Sequence, residues 1–277
     1  MTSRAINATT GGCAALLIAI FFAGILTGCG GTTPTVPGSP ATLTGNWELT
    51  TNQTVGGTVP IAVYLTSNAG SVSGVAVGPP ATDLIAYPDG CVGSPIGMFS
   101  NVALAGTVDA EGNLKLSTAP NAIPSATMTG TVSGSSLSNG SFAISGDCTT
   151  QGTMTGIEYP AVNGTYSGTV TSQASGQKFT VTATLDQSTA PNSAGLLVLT
   201  GTAIVNGYSC VPSSAAAIGA TFVGDDFFLE LSHSPSGILG WSGSLSPDGK
   251  TLGINYGFSP ATNTCNDDFG SGMLTLQ

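Results

Sequence analysis

The chain has 277 residues, 41% hydrophobic and only 6% charged, and its 14 acidic residues against four Lys and Arg leave a net charge of −10. That much apolar material excludes a wholly disordered chain, which could not bury a core. So few cations exclude nucleic acid as a partner, because phosphates must be neutralised by Lys and Arg, and they exclude adhesion to anionic lipid through basic patches.

In chain order, the first feature is an apolar run over residues 13–26, CAALLIAIFFAGIL, preceded by Arg4. A positive start followed by a short apolar stretch is the pattern of a secretory signal, and the run falls short of the roughly 20 residues that span a bilayer. Its end, Leu26-Thr27-Gly28-Cys29, resembles the lipobox of bacterial lipoproteins. The resemblance implies cleavage before Cys29 and acylation of its thiol and freed amine, so that the chain is held in the lipid bilayer through Cys29. Several acyl chains on one residue meet the requirement for a stable anchor, which one chain does not. Gly30, not Asp, follows the cysteine. By the same resemblance this favours the outer membrane, on the exported side of a bacterial cell envelope. Residues 1–28 are then the signal, and residues 29–41 the lipidated cysteine with a Gly/Pro/Thr tether reaching up to about 35 Å.

Beyond the tether the chain repeats itself. Gly45 in Leu43-Thr44-Gly45-Asn46-Trp47 matches Gly164 in Val162-Asn163-Gly164-Thr165-Tyr166, and Cys91 matches Cys210 at the same spacing of 119 positions. Cys148 similarly matches Cys265. The expected organisation is two tandem domains, residues 42–158 and 161–277, joined near Tyr159-Pro160.

Both halves read as all-β. Phe179-Thr180-Val181-Thr182-Ala183-Thr184-Leu185 alternates apolar and hydroxyl side chains, as a strand with one buried face does. Turn signals separate the runs at Glu111-Gly112-Asn113, Ser138-Asn139-Gly140 and Pro247-Asp248-Gly249. Eight strands are expected in the second half, starting near Gly164, Lys178, Ala194, Ala216, Phe227, Ile238, Lys250 and Gly270. Eight short strands in simple succession suit an up-and-down antiparallel barrel, which has no exposed edge. A two-sheet β-sandwich is the alternative, and periodicity does not separate the two.

Four cysteines remain after Cys13 leaves with the signal and Cys29 takes lipid. Four in an exported chain allow three pairings. The duplication selects Cys91–Cys148 and Cys210–Cys265, one bridge per domain, each closing a loop worth roughly 4 kcal/mol. Cys210 and Cys265 would fall in odd-numbered connections of the meander, at one end of the barrel.

No catalytic constellation stands out. His233 is the only histidine and sits in a turn-like stretch whose counterpart in the first half has none. No Gly-x-Ser-x-Gly elbow and no CxxC pair is present, so neither a metal nor another cofactor is implied. Asp225-Asp226 and Asp267-Asp268 would lie at opposite ends of the second domain and read as separate turns. Trp47 and Trp241 belong in a core, and a glycan stack would need them exposed. The disulfide end would gather Tyr87, Asp89, Tyr208, His233, Asp267 and Asp268, a candidate binding mouth or else a polar rim over packed side chains. The expected function is a non-catalytic structural, adhesive or binding role. A glycan or small apolar ligand held by those loops is the alternative, and a hydrolytic enzyme a weaker one. The oligomeric state is left open.

Overall fold

The computed structural model describes residues 41–277 except 55–56, 78–100, 123–124, 146–148, 212, 214–215, 234–236 and 262–264; of Ser232 and His233 only the backbone is described. The lipobox cysteine Cys29, together with Cys91, Cys148, Tyr87 and Asp89, lies outside the described residues.

The first barrel runs β1 (Gly45–Gln53), β2 (Gly57–Asn68), β3 (Ser71–Val77), β4 (Val102–Val108), β5 (Asn113–Thr118), β6 (Ser125–Ser133), β7 (Ser136–Ser145) and β8 (Thr150–Tyr159). The second runs β9 (Gly164–Ser172), β10 (Lys178–Gln187), β11 (Leu197–Asn206), β12 (Ala216–Val223), β13 (Asp226–His233), β14 (Gly237–Leu245), β15 (Thr251–Pro260) and β16 (Asp268–Leu276). Each set of eight closes on itself in chain order, all neighbours antiparallel, with β8 returning to β1 and β16 to β9. The fold is therefore two tandem closed barrels, not sandwiches.

The cause is the period-two pattern. In β10, Phe179, Val181, Ala183 and Leu185 are buried inside the barrel while Thr180 and Thr184 are exposed. Closure pairs every strand on both sides, so hydroxyl-rich outer faces need no further cover. The interiors are packed with aliphatic and aromatic side chains, including Trp47 in the first barrel and Trp241 in the second, both at most 1% exposed. Each barrel is also plugged from its entry segment. Leu43, 1% exposed, accepts the Trp47 indole N–H on its carbonyl at 3.3 Å, and its counterpart Val162 is equally buried in the second barrel.

Local turn chemistry explains most connections. Asp109 accepts the amides of Glu111 and Asn113 at 3.1 and 2.7 Å, and Gly112 takes φ 83°, closing β4 onto β5. Asp248 does the same between β14 and β15, accepting from the Lys250 amide and the Ser246 hydroxyl. Two expectations need adjustment. Strand β11 starts at Leu197, not Ala194, because Asn192 folds residues 192–196 into an Asx turn, accepting the amides of Ala194 and Leu196. Ser138-Asn139-Gly140 is not a turn. It lies inside β7, where the register shifts between Leu137 and Gly140 and Asn139 takes φ 50°. An Asn-Gly pair within a strand marks a bulge as readily as a hairpin, since both need positive φ.

Candidate functional site

At the disulfide end of the second barrel, Cys210 and Cys265 are bonded, joining the β11–β12 and β15–β16 connections. Two of the expected mouth residues there, Tyr208 and Asp268, turn inward. Tyr208 is 5% exposed; its ring stacks on Phe179 at 4.8 Å and meets Tyr256 and Phe258 edge-on. The Tyr208 and Tyr256 hydroxyls both donate to Asp268 Oδ2, at 2.9 and 2.8 Å, and the Ser172 hydroxyl donates to Oδ1 at 2.8 Å. Burial pushes the Asp268 carboxyl up, but these three hydroxyls and the Phe269 amide outweigh it and hold the group below its usual value. Burial, and then the hydrogen bond to Asp268, push both tyrosines well above theirs. The arrangement is a plug, with its carboxylate engaged by its own barrel. Asp267 stays exposed and, among the described residues, receives a 3.4 Å contact from the Ser259 hydroxyl. His233 ends β13 opposite Gly237, at the same end of the barrel.

The open site lies where the barrels meet. Alternation along β1 sends Asn46 and Glu48 outward, on the face opposite Trp47 and Leu49. Asn46 is nonetheless 4% exposed. Its amide donates to the Gly224 carbonyl at 2.7 Å and accepts the Gly224 N–H at 3.0 Å. Gly224 takes φ 59° in the tight β12–β13 turn, a conformation glycine adopts without the Cβ penalty. Tyr64 of β2 donates its hydroxyl to the Thr189 carbonyl at 2.9 Å, and Tyr64 and Tyr159 both pack on the second barrel's core. The outer face of barrel 1 is thereby docked on barrel 2.

Beside this contact is a cleft of about 700 Å³. Glu48, Pro60, Ala62 and Val77 line it from barrel 1. Barrel 2 contributes Asp225 and Asp226 at the turn, then Phe228, Ser242, Ser244, Asn255 and Ser271 from the outer faces of β13–β16. Neighbours in register, Phe228, Ser242, Asn255 and Ser271 form one row across four strands. Phe228 is 56% exposed. The adjoining outward position on β15 is Gly253, where an added Cβ would meet nothing closer than 3.8 Å. The cleft floor is thus kept open by a missing side chain.

One carboxyl in this cleft, that of Glu48, is perturbed. Burial first, then the hydrogen bond to the Asp225 side chain and the nearby charges of Asp225 and Asp226, push Glu48 up to about 8. Sequence reading separated Asp225-Asp226 from Asp267-Asp268 correctly but missed Glu48, 177 positions away in the other barrel. The available signal was weak: a lone Glu on a strand's outer face looks like ordinary surface.

The sequence matches no known protein family and no curated protein. Among solved structures it is similar to a protein of unknown function of the DUF3598 family from Nostoc punctiforme (7% identity, TM-score 0.29, covering 84% of this chain and 96% of that one). It is also similar to kievitone hydratase from Nectria haematococca (9% identity, TM-score 0.24, 89% and 94% covered). A third is a double mutant of transferrin-binding protein B from Haemophilus parasuis (10% identity, TM-score 0.23, 87% and 78% covered). At such TM-scores no functional conclusion follows from them.

Proposed function

We propose that this is an exported, lipid-anchored, non-catalytic binding protein that takes a neutral glycan in the cleft between its barrels. The observation that carries the reading is the cleft itself, where the exposed Phe228 ring stands beside a hydroxyl- and amide-bearing wall over an open floor. A sugar presents an apolar C–H face and a rim of hydroxyls. An aromatic ring serves the first, while Ser242, Ser244, Asn255 and the carboxylates serve the second. With Trp47 and Trp241 buried, Phe228 is the exposed ring among the described residues that line the cleft. The carboxylates and the net charge of −10 disfavour anionic sugars. The Glu48 carboxyl sits against that of Asp225, without the gap of about 5–9 Å that glycosidase carboxylate pairs keep, and this supports a role without hydrolysis. Anchoring rests on the lipobox: Cys29 carries the acyl chains, and the outer membrane is the favoured location.

The test is a glycan array probed with residues 42–277, followed by calorimetry. Phe228→Ala should weaken binding at least tenfold. Gly253→Val, which fills the floor with a residue suited to strands, should abolish binding while leaving thermal unfolding unchanged. Absence of any glycan ligand, or binding indifferent to both variants, rejects the reading. For the anchor, intact mass of the membrane-extracted protein should show an acylated N-terminal Cys29, and Cys29→Ser should release the protein from the membrane.

A further inference from the structure

We propose that the Glu48 carboxyl, facing Asp225, is a proton-dependent latch between the two barrels, closed while Glu48 carries a proton and loosened when Glu48 ionises. The proposal is independent of what occupies the cleft.

The geometry places this pair at the docking contact. Asn46 and Glu48 stand two residues apart on the same outer face of β1. Asn46 holds Gly224, and the Glu48 carboxyl faces the side chain of the next residue, Asp225. The Glu48 carboxyl also lies 3.4 Å from where a Gly224 Cβ would be. A two-residue turn of barrel 2 is therefore gripped by two side chains of barrel 1, one neutral and one titratable. A hydrogen bond between two carboxyls requires a proton on one of them; two carboxylates at that distance repel.

Among the described residues lining the cleft there is no cation beside Glu48. From the β12–β13 turn and the start of β13, Asp225 and Asp226 face Glu48. From β8, the Tyr159 hydroxyl is pushed up by burial and then by Glu48, Asp225 and Asp226, so it stays neutral, while Glu158 is itself raised by burial. From β2, Pro60 and Ala62 carry no charge, and no Lys or Arg lines the cleft among the described residues.

The sign follows from the direction of the shift. Burial first and then Asp225 push Glu48 up to about 8, above the 4.5 of a free glutamate side chain, which it approaches when the contact opens. Between these values the docked state binds the extra proton, so docking weakens as pH rises through that window and levels off above it. One proton corresponds to a change of at most about tenfold per pH unit, less here because the cleft admits solvent.

The readout is amide hydrogen exchange at Gly224, whose N–H is held by Asn46 across the contact. It is divided by the intrinsic rate and compared with the Val132 amide, which is bonded to Gly112 within barrel 1. In the wild-type mature chain, Gly224 protection should fall between pH 5 and 8 by several-fold per unit while Val132 stays constant. Glu48→Gln, neutral at every pH and still able to donate to Asp225, should hold Gly224 protection flat. Asp225→Asn gives the same test from the other barrel. A flat wild-type profile, or the same slope in both variants as in wild type, overturns the latch.

Discussion

The two barrels share a ladder but differ at one matched place. Gln53 pairs with Gly152 across β1–β8, and Gly152 with Phe142 of β7. In the second barrel Ser172 pairs with Gly270 across β9–β16, and Gly270 with Tyr256 of β15. Among the described residues, barrel 1 has at this position Phe142, a ring without a hydroxyl, and its Thr150 donates to the neutral Gln53 Oε1 at 3.3 Å. Barrel 2 has hydroxyl-bearing rings there and places Asp268 where barrel 1 has Thr150. The comparison teaches that a buried phenol demands an acceptor. Once Tyr208 and Tyr256 occupy the plug, a carboxylate must enter with them, because an unpartnered buried hydroxyl costs about 1–3 kcal/mol.

The largest effect that would break this comparison is loss of the clamp over the plug. Removing the Cys210–Cys265 bond by a double Ser substitution should destabilise barrel 2 by about 4 kcal/mol, read from denaturant unfolding, since the bridge closes a 55-residue loop. Next, Asp268→Ala, which removes the acceptor of the Tyr208, Tyr256 and Ser172 hydroxyls, should cost about 3 kcal/mol. The triple change Ser172→Gln, Tyr256→Phe, Asp268→Thr imports barrel 1's solution and should recover about half of that loss, with Tyr208 still unpartnered.

Acid should separate the barrels further. The folded-state value of Asp268 is depressed, so its contribution is complete above 3.8 and is lost as pH falls through its folded value. Acid unfolding followed by near-ultraviolet dichroism should show barrel 2 weakening below pH 3.8, and the triple variant should lose that step. The smallest difference concerns the tryptophans. Trp47 donates to Leu43, whereas Trp241 Nε1 is buried with no partner among the described residues. Trp47→Phe should therefore cost about 1 kcal/mol more than Trp241→Phe. Equal losses would show that the indole N–H in barrel 1 contributes nothing net.

Much of the fold was legible because its causes are local. Period-two alternation in 179–185 and Asx chemistry at Asp109 and Asp248 act within a few residues, so strands and turns could be placed without tertiary information. Ser138-Asn139-Gly140 misled for the same reason: positive φ is readable from the residues, but whether it serves a turn or a bulge depends on the partner strand. The candidate site was less legible. Sequence placed Tyr208 and Asp268 at the correct end, yet which way a side chain points at the edge of a barrel depends on strand register, and here it is inward.

By itself the sequence determined the duplication, the eight-strand succession in the second half and the spacing that brings Cys210 to Cys265, since all follow from patterns along one chain. Only the tertiary structure decided that the sheets close, and that Asn46, Glu48 and Tyr159 are an interface and not solvent-facing surface. Outward positions on a strand look alike in sequence whether water or another barrel covers them. The contact between the two barrels is what brings Glu48 and Asp225, far apart in the chain, into one cleft.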